Sequence, residues 1–322
     1  MLDQIRQPIN QHLQAFEPFF RKQMRTPIGV LNAINNHVLR RKGKQLRPML
    51  VFLSAGIVGP IDEASYVAAA MIEMLHTATL IHDDVVDEAY QRRGCLSVNA
   101  LWRSKAAVLV GDFMLAQGLN VAVNHDRLDM LRVINNTVRA MSEGELMQLE
   151  RSRKLNLDEQ AYYEIIGKKT AALISACCQN GAIAAGASEQ CVETLAQFGT
   201  DLGIAFQMRD DLLDYQPHGL TGKAAGNDIK ERKLTLPLIH ALRQASATDR
   251  RHALTLLRLP DKSRHDVDAL VDFATTQGGI AYTEQQMRRI AQQASDRLLQ
   301  FAESPFRQSL QLLCDYVVKR KK

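Results

Sequence analysis

The chain has 322 residues, 46% hydrophobic and 23% charged, a globular balance that excludes a disordered chain and suffices for one large core or two modest ones. The formal net charge of +5 is modest, and much of the excess lies beside acidic motifs or in the Lys319-Arg-Lys-Lys322 tail. Charge alone therefore points neither to nucleic acid nor to a membrane surface. Five cysteines (Cys95, Cys177, Cys178, Cys191 and Cys314) are odd in number and lack metal-ligand spacing, and Met1-Leu-Asp-Gln lacks signal-peptide regions. Both features suggest a reducing, cytoplasmic setting.

Helical periodicity and cap signals recur along the whole length, whereas sustained strand-type alternation is hard to find, which predicts an all-α protein. Thr26-Pro27 reads as an N-cap and first helical position leading a helix toward Arg40. Asp62 or Glu63 opens a long helix that ends at Asp83-Asp84-Val85-Val86-Asp87. Asp158 is placed to cap a helix running through Lys169 toward Cys178. The longest uncharged run, Thr170 to Ser188, approaches a membrane span in length, but its Ser175, Gln179, Asn180 and several Gly and Ala predict a buried helix and a turn. Ser188 caps the helix that delivers Asp210-Asp211-Leu212-Leu213-Asp214. The Gly-rich, charged segment from Gln216 to Lys233 is too long for a bundle connection and is a candidate functional loop. Leu236-Pro237 restarts a helix, and amphipathic packing helices follow Asp261. No linker or composition break divides the chain, so residues 1–322 read as a single domain.

The two acidic motifs carry the most information. On a helix Asp83, Asp84 and Asp87 project within roughly a 100° arc, as do Asp210, Asp211 and Asp214. At ordinary Asp usage a chain of this length holds on the order of 0.07 such patterns by chance. Most acidic clusters are solvated turns. Here, however, the flanks Ala78-Thr-Leu-Ile-His82 and Gly203-Ile-Ala-Phe-Gln-Met208 are largely apolar, so the acids emerge from buried helices. Carboxylates clustered there need a cation. Hard oxygen donors without Cys or His favour Mg2+, which binds through a few carboxylates plus substrate phosphates. Basic clusters at Arg40 to Arg47, Arg92-Arg93-Gly94, Lys168-Lys169-Thr170 and Lys223 through Lys233 are each ordinary surface features. Together with metal-binding carboxylates they suit two diphosphates, one bridged by metal and one held by ammonium and guanidinium groups.

An ordered set of motifs resembles the trans-isoprenyl diphosphate synthases over nearly the whole chain, most nearly their long-chain polyprenyl members of the octaprenyl and solanesyl type. It comprises Gly43-Lys44-Gln-Leu-Arg47-Pro48, Glu73-Met-Leu-His76 through Asp83-Asp84-Val-Val-Asp87-Glu88, Arg92-Arg93-Gly94, Gly111-Asp112-Phe113 and Lys169-Thr170. Phe206-Gln207-Met-Arg-Asp210-Asp211-Leu-Leu-Asp214-Tyr215, Gly222-Lys223, Gly226-Asn-Asp228 and Lys233-Leu-Thr-Leu-Pro237 complete it. The resemblance implies an all-α bundle around a deep central cavity, usually homodimeric. It makes Asp83, Asp84, Asp87, Asp210, Asp211 and Asp214 the ligands of Mg2+, about three ions with substrate bound. Arg92, Lys169, Lys223 and Lys233 then contact the allylic diphosphate, with Lys168 as an alternative to Lys169. Lys44, Arg47, His76 and Arg93 grip isopentenyl diphosphate, and Thr170 and Gln207 line the reaction centre. His76 alone would read as a core histidine, but it lies two helical turns before Asp83.

The implied reaction extends an allylic primer such as farnesyl diphosphate to about seven to ten isoprene units, suited to a quinone side chain. The lipid product implies at most peripheral membrane contact. By the same resemblance the small Ala78 and Thr79 admit a long product, Ala78 as the gate, and the two-residue gap between Asp84 and Asp87 suits the long-chain type. Leu75, Met74, Leu146 and Met147 are candidates for the tunnel floor. Two positions depart from the usual pattern: Leu96 replaces a common proline, and Arg209, directly before the second motif, either pairs with Asp210 or Asp211 or faces solvent. The competing readings are a non-catalytic subunit of a heteromeric synthase, a shorter-chain geranylgeranyl synthase, and a terpene cyclase or head-to-head condensing enzyme. Non-catalytic subunits typically lack one or both acidic motifs, and the last class lacks the Lys44-Arg47 and Arg92-Arg93 sets.

Overall fold

In the computed structural model, residues 1–40, 43–92, 94–155, 158–216 and 226–320 are described, and among them the fold is all-α, as the periodicity predicts. Helices α1 (Leu2–Arg6), α2 (Asn10–Gln23), α3 (Gly29–Leu39) and α4 (Leu46–Gly56) lead into the long α5 (Glu63–Val86), α6 (Val98–Asn124) and α7 (Leu128–Lys154). Next come α8 (Glu159–Ile166), a π turn over Gly167–Ala171, α9 (Ala172–Ala184) and α10 (Glu189–Asp214). The C-terminal third holds α11 (Asn227–Lys230), α12 (Leu236–Gln244), α13 (Ala247–Arg258), α14 (Arg264–Thr276), α15 (Gly279–Arg297) and α16 (Pro305–Lys319). Among the described residues the only strand pairing is Gln91–Arg92 with Cys95–Leu96.

Cap chemistry fixes the helices that matter for the site. The Asp62 carboxylate accepts the N–H groups of Ala64 and Ser65 and opens α5. Ser188 does the same for α10 through Cys191, and Asp158 for α8 through Gln160. Pro237 occupies the first turn of α12. The helix toward Arg40 starts later than Thr26-Pro27 suggests. The Asn32 side chain bonds both the N–H and the carbonyl of Thr26, which holds that segment as a turn outside α3. The helix expected from Asp158 to Cys178 is likewise interrupted by the π turn, one residue wider than an α turn.

The apolar run ending at Ser188 is the buried helix α9 and its following turn, in the middle of the main core with α4, α5 and α10. A smaller C-terminal cluster includes Tyr215, Ile229, Leu238, Leu257 and Leu270, and Leu234 and Ile280 pack against both clusters. By length and composition α5 and α6 could each cross a bilayer, yet 61% of the apolar window of α5 is buried, against 39% for α6. The exposed part of α6 carries Leu101, Val108, Leu109, Leu119 and Val123.

Helix α10 meets the π turn and α9 at backbone distance. A Cβ on Gly203 would lie 2.5 Å from Ala171 Cα, and one on Gly199 would lie 2.7 Å from Ser175 Cα. Because Ala171 adjoins Thr170 and Gln207 is one turn beyond Gly203, this contact sets the spacing of two site residues. Gly203→Val should therefore destabilise the protein by about 1–3 kcal/mol through overpacking and should also lower activity. Urea denaturation and a turnover assay check the two effects together.

Candidate active site

The six acidic side chains do not share one environment. At the end of α5, Asp83 and Asp87 are exposed, whereas Asp84 is only 3% exposed and accepts a 2.6 Å hydrogen bond from Arg92 Nε. Although Asp83 is exposed, desolvation and then the charge of Glu145 raise its pKa. On α10, Asp210 is half-buried and Asp211 is 2% exposed. Asp211 accepts from the Tyr162 hydroxyl at 2.6 Å and from Gln207 Nε2 at 2.8 Å. Asp214 accepts the backbone N–H groups of Asn227 and Asp228, each at 3.1 Å, and so anchors α11.

The two motifs face one another through their cations. Lys169 acts on the charge of both Asp83 and Asp228, and Asp87 acts on Lys233. Lys169 Nζ is held by Glu145 Oε2 at 2.5 Å and Gln148 Oε1 at 2.8 Å, and Lys233 Nζ by Glu231 Oε2 at 2.5 Å. The π turn separates the adjacent lysines. Lys169 lines a cavity of about 130 Å³ with Thr170, Gln207, Asp211, Asp228 and Lys233, while Lys168 reaches out to Glu143 and Glu164. Geometry thus favours Lys169 as the phosphate partner. A second cavity, about 140 Å³, is lined by Gly43, Gln45, His76, Asp84 and Arg92.

Gln45, between the expected isopentenyl diphosphate ligands Lys44 and Arg47, has left-handed φ of 51°. Such backbone costs of order 1–3 kcal/mol and collects at functional sites. Lys44 Nζ donates to the Tyr316 hydroxyl at 2.9 Å, and Arg47 is half-buried. Arg93 and Lys223 lie outside the described residues. Ala78 is fully buried, and Thr79 donates to the carbonyl of His76 at 2.9 Å. Among the floor candidates Met74 and Leu75 are buried and Met147 is half-buried. Leu146 is 67% exposed, on the outer face of α7 with Leu149, and is no floor residue in this chain.

Sequence reasoning missed three contributors. Arg320, read only as tail charge, donates to Asp210 Oδ1 at 2.6 Å and lies 3.8 Å over the Phe206 ring. Arg209 takes neither of its two expected courses, pairing with Asp210 or Asp211 or facing solvent: it is half-buried, and its Nε and Nη2 hold the carbonyl of Arg320, at 2.8 and 2.7 Å. Tyr162 lies two helical turns before Lys169, a spacing that could have flagged it. Asp228 stands inside a quoted motif, and only the fold places it against Asp211 and Asp214.

The donor set fits a divalent metal. Among the described residues no three acidic or His side chains converge into a ready-made cage. Mg2+ needs none, since it binds through one or two carboxylates and completes its shell with waters and substrate phosphate oxygens. Asp83, Asp87 and Asp210 are the carboxylates open enough to serve, and the last already attracts a cation, Arg320.

Burial, followed by the charge of Asp228, raises Asp211 to about 7, and burial, followed by Asp214, raises Asp228 to about 6. Both groups therefore bind a proton more tightly folded than unfolded, where Asp titrates near 4. Their contribution to stability is full below that range and is lost as pH rises through about 6 to 7. In chelator, the melting temperature should fall between about pH 5 and pH 8, and Asp211→Asn should flatten the fall; scanning calorimetry across pH checks this.

Residues 29–274 match the family model described as polyprenyl synthetase. Over 320 residues the chain is 33% identical to octaprenyl diphosphate synthase of Escherichia coli (strain K12), covering 99% of each. It is similar to the crystal structure of a decaprenyl diphosphate synthase from Rhodobacter capsulatus, with a TM-score of 0.94, 35% identity and all of both chains covered. A polyprenyl synthase from Caulobacter crescentus CB15, complexed with calcium and isoprenyl diphosphate, matches with a TM-score of 0.92 and 31% identity over 100% of this chain and 98% of that one. With two acidic helix ends linked electrostatically through Lys169 and Lys233, the chain belongs to the polyprenyl synthetase family of prenyltransferases.

Proposed function

We propose that the protein elongates farnesyl diphosphate by successive trans condensations with isopentenyl diphosphate, giving a long-chain polyprenyl diphosphate for a quinone side chain. The observation that carries this reading is the facing of the two acidic motifs through Lys169 and Lys233. Asp83, Asp87 and Asp210 would hold Mg2+, about three ions, whose chemistry is to neutralise charge on the departing diphosphate. Lys169 and Lys233 exchange their carboxylate partners for diphosphate oxygens. Lys44, Arg47 and His76 hold isopentenyl diphosphate beside the second cavity, and Thr170 offers its oxygen to the allylic cation in a water-poor site. The proton eliminated goes to the released diphosphate.

Two features support the product and the assembly. Ala78 lies on the α5 face turned to α6, between Met74, which abuts Gly118, and His82, which abuts Gly111. A small side chain there leaves room that an aromatic one would fill. Beyond the backbone break at Arg103, the exposed apolar stripe of α6, Val108 to Val123, spans roughly 23 Å and suits a second copy of the chain in a homodimer.

Incubation with farnesyl diphosphate, labelled isopentenyl diphosphate and Mg2+ should give a chelator-sensitive ladder ending at one long product. No incorporation by folded protein with any short allylic primer refutes the reading. Asp83→Ala should lower turnover by about 10²-fold or more. Ala78→Tyr should shorten the product while turnover persists, and an unchanged ladder removes Ala78 from length control.

A further inference from the structure

Thr170, Gln207, Asp211 and Tyr162 form a continuous chain of hydrogen bonds joining the π turn, α10 and α8. The Thr170 hydroxyl donates to Gln207 Oε1 at 2.8 Å, and Gln207 Nε2 donates to Asp211 Oδ1 at 2.8 Å. At the far end the Tyr162 hydroxyl donates to Asp211 Oδ2 at 2.6 Å. Tyr162 is 6% and Asp211 2% exposed, and all four residues line one cavity.

The direction of this chain is set at its buried end. The Tyr162 phenol engages Oδ2 of Asp211, which leaves Oδ1 as the acceptor for the amide of Gln207. Gln207 then turns its NH2 to Asp211 and its carbonyl to Thr170. The single Thr170 proton is spent on Gln207, so Thr170 presents oxygen lone pairs to the cavity. Lone pairs stabilise a cation forming there, whereas a hydroxyl proton would oppose it.

We propose that Tyr162 is a positioning residue: by locking Asp211 it fixes the amide orientation of Gln207, and thereby the polarity of the Thr170 hydroxyl. This rests on the prenyltransferase reading above and deepens it. It gives Asp211 the task of orienting Gln207 instead of ligating metal, in contrast to Asp210 one residue earlier.

Tyr162→Phe removes the lock, and Asp211→Asn, of the same shape, can turn an NH2 to Gln207 and reverse the chain. The first should lower kcat about 10-fold and the second about 10²-fold, the loss expected when a reacting group is misaligned. KM for both substrates and half-saturating Mg2+ should stay within about twofold of wild type. In a Gln207→Leu background neither substitution should cost more, because the chain is already cut. Calorimetric titration of Mg2+ with inorganic diphosphate reads binding without turnover: it should be weakened in Asp210→Asn and unchanged in Tyr162→Phe and Asp211→Asn. Additive losses with Gln207→Leu, full kcat in Tyr162→Phe, or metal binding as weak in Asp211→Asn as in Asp210→Asn overturns the proposal. Elongation by wild type, run in parallel, reads the enzymatic assignment, while variant-to-wild-type ratios and the titrations read the relay.

Discussion

Mutual repulsion among clustered carboxylates constrains this fold more than any other interaction. Six Asp side chains sit on two helix ends, and like charges in low dielectric disfavour the ionised state that a metal requires. The fold answers by giving buried members separate partners. Asp84 takes Arg92, Asp211 takes Tyr162 and Gln207, and Asp214 takes backbone N–H groups. The more accessible set is smaller: Asp83 and Asp87 are exposed, and Asp210 is half-buried and held by Arg320, which suits an ion that wants few protein ligands. The motif reads as six equivalent acids, but the structure divides them into ligand candidates and framework.

The cations follow the same logic. Lys169 and Lys233 rest on Glu145 and Glu231 in partly exposed pairs. Pairs of that kind are worth roughly 0–1 kcal/mol, so exchanging a carboxylate for a diphosphate costs little while the lysine stays aimed. Arg320 holds Asp210 from a more sheltered position, its side chain 7% exposed and its backbone clamped by Arg209. The C-terminal helix thereby reaches both halves of the site, since Tyr316 on the same helix holds Lys44.

Legibility in the sequence tracked the range of the interaction. Asp62, Asp158 and Ser188 could be read as caps because each bonds N–H groups two or three residues away. The acidic motifs were legible because helical spacing alone puts three carboxylates on one arc. Arg320 was not, because its bond to Asp210 spans 110 residues. Thr26-Pro27 misled for a related reason: Asn32, six residues on, captures Thr26 for a turn that local propensity does not encode. Leu146 is a floor candidate in the sequence, and only the rotation of α7 sends it outward.

The π turn between α8 and α9 is where these constraints meet. Its extra residue sends Lys168 to the outer face while Lys169 and Thr170 enter the cavity. Glycines hold it from both sides. A Cβ on Gly144 of α7 would lie 2.8 Å from the backbone nitrogen of Lys169, as one on Gly203 would meet Ala171 from α10. Backbone packed on backbone has no rotamers to exchange, so the spacing of Lys169, Thr170 and Gln207 is set before any side chain chooses its partner. Cations on side chains and on the tail can then change partners during a cycle while the reaction centre between them keeps its dimensions.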